Sequence, residues 1–288
     1  MRQWFVKVIN DPFVQVFTLI IVLLGIWLME NMRVYTTPAP ADKLADFFED
    51  VAFGLDYDEG YSYVRKWQGD LHVNILDESD ARDQEDLDML LKQFSQLTGL
   101  NFGYDDVEKA NLLVVFVKHK ELPDYAKALK MRWVWPHQDP NDVRCAAKFL
   151  HGEEDDERGI AQRGIIHKSM AVLSTDLPQT NYISAFVEMM ASGTPYKSNF
   201  SCIREELMQS LGLPKDSNIV SPSVLNDYDN TNHKEIYSAN DTIVIRTLYD
   251  PRIKAGMPKD EAMKLVREII IPELINAYQH GGEEALYQ

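Results

Sequence analysis

One short segment of the chain brings polar side chains together at helical spacing. It covers residues 202–216 and reads CIREELMQSLGLPKD. Glu205 and Gln209 are four residues apart, so in a helix they share one face, and Glu206 borders the neighbouring apolar stripe. That stripe consists of every fourth residue: Ile203, Leu207 and Leu211. Carboxylate and amide oxygens on one helix face suit hydrogen bonding to a nearby loop or coordination of a hard cation.

Three roles are compatible with these side chains. In the first, which we favour, Glu205, Glu206 and Gln209 anchor the following loop by hydrogen bonds or face solvent. In the second, Glu205 and Gln209 hold a cation such as calcium, and Asp216 or Asp227 completes the site. In the third, zinc is bound and Glu206 is the catalytic general base of a hydrolase. Zinc, however, prefers His and Cys, and a catalytic site needs three protein ligands.

The segment resembles the active helix of zincin metallopeptidases, H-E-x-x-H-x-x-G. Glu205 and Gln209 stand where the two histidines would be, and Glu206 stands at the general base. Gly212 falls at the turn, and Lys215 takes the place of a third ligand. The resemblance therefore implies a peptidase-like site that has lost its imidazoles.

The wider sequence is similar to bacterial domain-of-unknown-function 2927, a family of exported domains with a zincin-like core. The matching pieces span roughly residues 65–270 and read LLKQFSQLTGLNF, ANLLVVFV, CIREELMQSLGLPKDS, SPSVLND and LYDPRIKAGM. The resemblance implies a zincin-like fold and an export route. It carries no settled activity.

The elements around this segment follow from hydrophobic periodicity. Residues 71–76 alternate as in a half-buried strand, and residues 165–173 alternate again. Residues 87–97 carry leucines and a phenylalanine at helical spacing before Gly99. Residues 111–117 form a continuous apolar run, typical of a strand buried on both faces.

Two further helices complete the prediction. Residues 201–211 form a short helix that Gly212 stops, and a last long helix over residues 263–278 is bent at Pro272 and ended by Gly281. The segment from Lys118 to Gly164 shows no regular pattern. The sequence predicts a single α+β domain with one mixed, zincin-like sheet.

The N-terminus predicts a membrane anchor. Residues 13–29 carry no charge, so we assign 13–30 to an uncleaved transmembrane signal anchor rather than a cleaved signal peptide. Arg2 and Lys7 precede it, which favours a cytoplasmic segment 1–12 and a periplasmic bulk. We expect a single-pass inner-membrane protein and a possible contact with a membrane complex.

The remaining boundaries follow from composition. Residues 31–45 contain two prolines and predict a tether; the domain then covers 46–280 and leaves a tail at 281–288. In an oxidising compartment Cys145 and Cys202 are expected to form a disulfide that pins the segment before the Glu205 helix. Two separate buried thiols are the alternative.

The pair Asp250 and Arg252 belongs to a further polar cluster. Asp250 precedes Pro251, so a turn begins there, and the Arg252 guanidinium is available to a carboxylate such as Glu206. With Asp227 these residues predict a structural polar network.

Charge and motifs narrow the function. The 288 residues hold 29 Lys and Arg against 45 Asp and Glu, a net charge of −16, which excludes a nucleic-acid binder. No P-loop, dinucleotide fingerprint, G-x-S-x-G elbow or H-E-x-x-H motif is present. We therefore expect a non-catalytic module that binds an envelope protein or peptide, with no cofactor, and we keep a calcium-stabilised domain or a Glu206-dependent hydrolase as alternatives.

Overall fold

A computed structural model describes most of the chain beyond residue 36. The described residues are 16, 19–22, 37–54, 60–77, 79, 81–128, 145–149, 164–175, 199–226 and 237–287. The chain divides into two units, Met1–Pro38 and Ala39–Gln288. Within the described part, no helix is both long and apolar enough to cross a bilayer. Most of the predicted anchor lies outside that part, so the anchor stays a prediction.

A five-stranded mixed sheet forms the centre of the second unit. Its strands are β1 (Leu71–Asp77), β2 (Phe102–Tyr104), β3 (Leu112–Val117), β4 (Cys145–Phe149) and β5 (Ser169–Ser174). Their order is β2-β1-β3-β5-β4. Neighbouring strands are parallel except β4, which runs antiparallel to β5 at one margin. This confirms the predicted α+β class with one mixed sheet.

Seven α-helices accompany the sheet in the described residues. They are α1 (Ala41–Phe53), α2 (Ala81–Thr98), α3 (Leu122–Ala128), α4 (Asn199–Ser210), α5 (Ala239–Leu248), α6 (Lys259–Leu265) and α7 (Ile271–Gly281). Short 3₁₀ turns cover His119–Glu121 and Glu283–Tyr287. The main core joins one face of the sheet to most of these helices, and a smaller cluster on the other face includes Leu122 of α3.

The central strands are buried on both faces because each face is covered. All six residues of β3 and all six of β5 are buried. The predicted strand at 111–117 is therefore confirmed. The half-buried alternation predicted for 165–173 is wrong, since β5 begins at Ser169 and lies between β3 and β4.

Local chemistry sets the helix ends. Gly99 takes φ +73° directly after α2, a left-handed conformation that glycine adopts at little cost, and this confirms the predicted stop. Pro272 has no N–H for the helical ladder, and the chain forms a π turn over Val266–Ile270 before α7 begins. The predicted interruption of the last helix is thus observed.

Both predicted domain boundaries need correction. Helix α1 begins at Ala41 inside the range 31–45 assigned to the tether, and its Leu44 is fully buried. The prolines misled the prediction because Pro40 is the N-cap of a helix rather than part of a linker. The residues 281–288 assigned to a tail include Leu286, which is also fully buried.

Candidate functional site

Helix α4 carries the predicted site residues and packs against β4 and β5. It spans Asn199–Ser210, close to the predicted range 201–211, so Cys202 lies inside the helix. The disulfide therefore holds the helix itself and not the segment before it. Cys202 forms a disulfide with Cys145, the first residue of β4, and their Cα atoms are 5.7 Å apart. The predicted pairing is confirmed, and it links the helix covalently to the terminal strand.

The polar residues of α4 are enclosed on all sides. Glu205 is 5% exposed, Glu206 is 2% exposed and Gln209 is 9% exposed. The option that they face solvent is wrong. The apolar stripe predicted a helix with one solvent-exposed face, but every residue from 202 to 213 is buried.

Buried charge demands compensation. Moving an isolated carboxylate out of water costs several kcal/mol, so such groups persist only where other groups stabilise them. Glu205, Glu206 and the neighbouring Arg204 are each engaged in polar or electrostatic interactions. Arg204 is itself 1% exposed. The segment therefore buries three ionisable side chains in succession, which a purely apolar packing helix would not require.

Gln209 reaches the loop that follows the helix. Its Nε2 donates a hydrogen bond of 2.9 Å to Oδ1 of Asp216. Two of the three predicted metal-binding positions therefore meet in space. They meet through an amide N–H directed at the carboxylate, which is the contact expected if the pair anchors the loop.

The turn at Gly212 fixes the end of α4. Gly212 has φ +116°, and a Cβ atom there would lie 2.4 Å from the backbone oxygen of Arg65. The Trp67 indole Nε1 donates to the Ser210 carbonyl at 2.8 Å. The Tyr249 hydroxyl donates to the Leu211 carbonyl, also at 2.8 Å. These contacts satisfy carbonyls that a helix end leaves free.

Lys215 points elsewhere. It stands where the zincin pattern would place a third ligand, but its Nζ forms an ion pair with Asp50 of α1. A lysine in that position cannot act as a ligand while it is protonated.

The loop beyond Asp216 is held by the start of α5. Ser238 and Asp241 form a capping box there, and Asp241 Oδ1 accepts a 2.6 Å hydrogen bond from Ser223. Asp241 is fully buried, which raises the pKa of its carboxyl; the hydrogen bonds from Ser223, Ser238 and Val224 act in the opposite direction. The segment SPSVLN is thus docked by one buried carboxylate.

The predicted polar network is only partly described. Asp250 Oδ1 accepts hydrogen bonds from the Arg252 backbone N–H and from its Nε, and Arg252 Nη2 contacts both Asp250 and Glu273. Its guanidinium partners are therefore Asp250 and Glu273, so the predicted pairing with Glu206 is wrong. Asp227 lies outside the described residues.

The positions of the possible ligand side chains bear on metal binding. Among the residues that the structure describes, no three His, Cys, Asp or Glu side chains are arranged to hold a metal ion. The amide N–H of Gln209 also occupies one side of Asp216. The described residues therefore do not by themselves supply the three ligands of a zinc centre. Calcium or zinc binding by Glu205, Gln209 and Asp216 stays a prediction.

Sequence patterns did not identify the buried Lys66 near the end of α4. Lys66 is 8% exposed, and its Nζ donates to the carbonyls of Leu248 and Ile253, each at 2.9 Å. Burial lowers the pKa of Lys66 to about 8, with the nearby charge of Lys254 as a smaller cause. The aromatic and basic stretch YSYVRKW was the only signal, and it does not say which side chain turns inward.

Strand β4 was missed as well. Its residues alternate between the two faces of the sheet: Cys145 and Phe149 belong to the main core and Ala146 to the smaller cluster. Ala147 therefore shares the α4 side. Five residues of the type CAAKF in an irregular stretch give too short a pattern to identify a strand.

Comparison with known families agrees with this picture. The family described as "Protein of unknown function (DUF2927)" matches residues 41–268. The chain belongs to that family. The match begins at the first residue of α1 and takes in all five strands and α4. No curated protein matches the chain.

Proposed function

We propose that this member of the family is a non-catalytic module with a zincin-like plan that binds an extended peptide in the cell envelope. The peptide adds to the margin of β4 that has no strand beside it among the described residues, next to helix α4. The partner is a protein or peptide outside the cytoplasm, and the N-terminal segment holds the module at the inner membrane. Exposed strand margins bind peptides through backbone hydrogen bonds, while pockets for alternate side chains give specificity.

One observation carries the proposal: the disulfide between Cys145 and Cys202 ties the terminal strand to the helix with the buried polar side chains. Among the described residues, β4 pairs with β5 alone, so one of its margins has no described strand beside it. A strand added at that margin would direct alternate side chains to the α4 side of the sheet, the side that Ala147 shares.

The envelope location rests on separate support. A disulfide is stable in an oxidising compartment and rare in the cytosol. The uncharged run at 13–29 precedes the domain by a short segment, as an anchor would. The acidic chain, with net charge −16, is also expected to favour basic partners through long-range attraction.

A peptide-binding experiment tests the proposal. The full-length chain in detergent is incubated with a mixture of random decapeptides, and retained peptides are identified by mass spectrometry. We expect intact peptides to be retained and to slow amide hydrogen exchange at residues 145–149. Glu206→Gln keeps the size of the side chain and should bind equally well. If no peptide is retained, or if the protected amides lie elsewhere, the proposal is wrong.

A matched pair of variants locates the binding margin. Ala147→Asp places a charge on the α4 side of β4, and Met89→Asp adds the same charge to an exposed position of α2. We expect only the first to lose peptide binding, and far-ultraviolet circular dichroism checks that both proteins remain folded, since a partly buried charge at position 147 also lowers stability. Equal loss in both would point to net charge rather than to β4.

The alternative is a metal-dependent, peptidase-like hydrolase with Glu206 as general base. The meeting of Gln209 and Asp216 in space is the observation in its favour. That hypothesis expects cleaved peptides from the wild type, none from Glu206→Gln, and stoichiometric zinc or calcium that disappears in Glu205→Ala/Gln209→Ala. Such a result would replace the binding proposal.

A further inference from the structure

We infer that the Cys145–Cys202 disulfide is a redox switch for β4, and that its reduction by a dithiol disables the peptide-binding margin. The inference rests on the proposed function for its biological consequence. Its structural part, the loosening of one end of β4, does not depend on peptide binding.

The two ends of β4 are held differently. At its last residue, Phe149 is 8% exposed and packs in the main core, and the Arg65 guanidinium lies 4.9 Å from the centre of its ring. At its first residue, Cys145 is only partly buried and is joined to Cys202. Cys145 also pairs with Leu173 of β5. Cleavage of the disulfide therefore removes the covalent link at the Cys145 end, and we expect that end to loosen more than the Phe149 end.

The two sulfur atoms also differ in access. Cys202 is fully buried inside α4. Cys145 lies in the marginal strand and is partly exposed. Because thiol–disulfide exchange requires direct attack on one sulfur, we expect an external thiolate to attack the residue that is less buried, Cys145.

The exchange balances without any other reactant. The dithiol's thiolate attacks Sγ of Cys145, a mixed disulfide forms, and Cys202 leaves as a thiolate that takes up a proton. The second thiol of the reductant, as a thiolate, then attacks the reductant's first sulfur in the mixed disulfide. Cys145 leaves as a thiolate and takes up a proton. Two electrons pass to the protein, which ends with two thiols, and the dithiol ends as its own disulfide.

The free thiols cannot keep the original spacing. Van der Waals contact between two sulfur atoms is longer than a covalent bond, so the sulfur atoms must separate through side-chain rotation or a shift of one backbone segment. Cys202 is fixed by the packing of α4 in the core, whereas Cys145 belongs to a five-residue strand paired with β5. We therefore expect the start of β4 to move away from the helix and the margin to lose its regular geometry.

Hydrogen exchange measured by mass spectrometry tests the switch on the full-length chain in detergent, with and without dithiothreitol. Reduction should speed exchange at residues 145–147 by about tenfold or more, while β3 changes by less than about twofold. The variant Cys145→Ala/Cys202→Ala should resemble the reduced protein and ignore the reductant. Unchanged exchange at residues 145–147 overturns the switch. Equal acceleration across β3 also overturns it, because the disulfide would then stabilise the whole domain and not β4 in particular.

Peptide retention separates this inference from the proposed function. If the oxidised protein binds decapeptides, the reduced protein should bind at least about tenfold fewer, and reoxidation should restore them. Equal binding in both states overturns the switch and leaves the binding module intact. If the oxidised protein binds none, the proposed function fails, while hydrogen exchange still decides whether β4 is released.

Discussion

The hydrogen bond between Gln209 and Asp216 is the most direct contact between the site helix and its loop. It joins a neutral donor to a charged acceptor, and both residues are largely shielded from solvent. Such bonds are stronger than those between neutral groups. Its strength decides whether these two residues serve the fold or are available to a ligand.

A double-mutant cycle measures that strength. Gln209→Ala and Asp216→Ala should each lower the free energy of unfolding, and the double variant should lose less than the sum, with a coupling energy of about 1–2 kcal/mol. Urea unfolding of the four proteins gives the value. Additive losses would show that the contact contributes nothing to stability and would strengthen the metal alternative.

Lys66 predicts a particular dependence of stability on pH. Its pKa is about 8 in the folded protein, against 10.5 for an ordinary lysine. Between these values the unfolded chain holds a proton that the folded protein has released, so the free energy of unfolding rises with pH. The cost of burying the charge is largest below pH 8, at about 3 kcal/mol.

The variant Lys66→Met isolates this contribution. It keeps a long side chain without charge, so the difference in unfolding free energy between wild type and variant should move in favour of the wild type from pH 8 to pH 10. Measurements should stop near pH 10, since burial raises the pKa of Tyr249 and its titration in the unfolded chain would then interfere. A difference that is constant with pH would show that Lys66 titrates normally.

At the scale of elements, three backbone segments meet at Gly164. Its φ is +84°, and a Cβ atom would lie 2.2 Å from the Val64 oxygen and 2.3 Å from the Gly256 nitrogen. The Lys66 N–H donates to the Gly164 carbonyl at 2.9 Å. This junction joins the approach to β5 to the segment that ends at Trp67, and it leaves no room for a side chain.

Two alanine substitutions compare strain with and without a clash. Gly164→Ala should destabilise the protein by roughly 3 kcal/mol or more, because backbone atoms must move apart. Gly99→Ala has a similar φ of +73°, but the new Cβ meets nothing within 4 Å. It should therefore cost only about 1 kcal/mol. Equal effects in thermal unfolding would mean that the junction adapts easily.

The elements were predictable where a repeating pattern was long enough. The alternation in β1, the apolar run in β3 and the leucines of α2 each reflect burial of a defined face. The short strand β4 and the seven-residue helix α3 offered no such length. Helix α1 was hidden by the prolines that precede it, because proline occurs both at the start of helices and in linkers.

The site was predictable in position but not in environment. Spacing placed Glu205 and Gln209 on one helix face with Glu206 at the border of the apolar stripe, and cysteine count with compartment predicted the disulfide. Their burial was not predictable, since it arises from elements distant in sequence that close over α4. Lys66 is the clearest case: its two acceptors are 182 and 187 residues away, and no local pattern marks such contacts.

At the scale of the whole molecule, the folded unit begins before the tether was expected to end. Ala39 N–H donates to the Asn240 side chain at 2.7 Å, and Leu44 is buried in the main core. Helix α1 also packs against α5 and α7, so the start of the unit contacts elements near its C-terminus. The first residues of the unit are therefore part of its folded structure and pack against its later helices.

Two fragments test this packing. Residues 39–288 should fold with a cooperative transition, whereas residues 46–288 lack Leu44 and should lose about 2–5 kcal/mol or fail to fold. Far-ultraviolet circular dichroism during thermal unfolding distinguishes them. A fragment 46–288 as stable as 39–288 would restore the boundary first inferred from composition.

The hydrogen bond between the Trp67 indole and the Ser210 carbonyl makes the intrinsic fluorescence of Trp67 a probe of the end of α4. Trp67 is 2% exposed and touches the last residue of the site helix. Indole emission depends on the polarity and order of its surroundings, so a small shift of that helix should alter the colour and polarisation of the emitted light. A protein in which Trp67 is the sole remaining tryptophan would report peptide capture or thiol chemistry in real time, without any added dye.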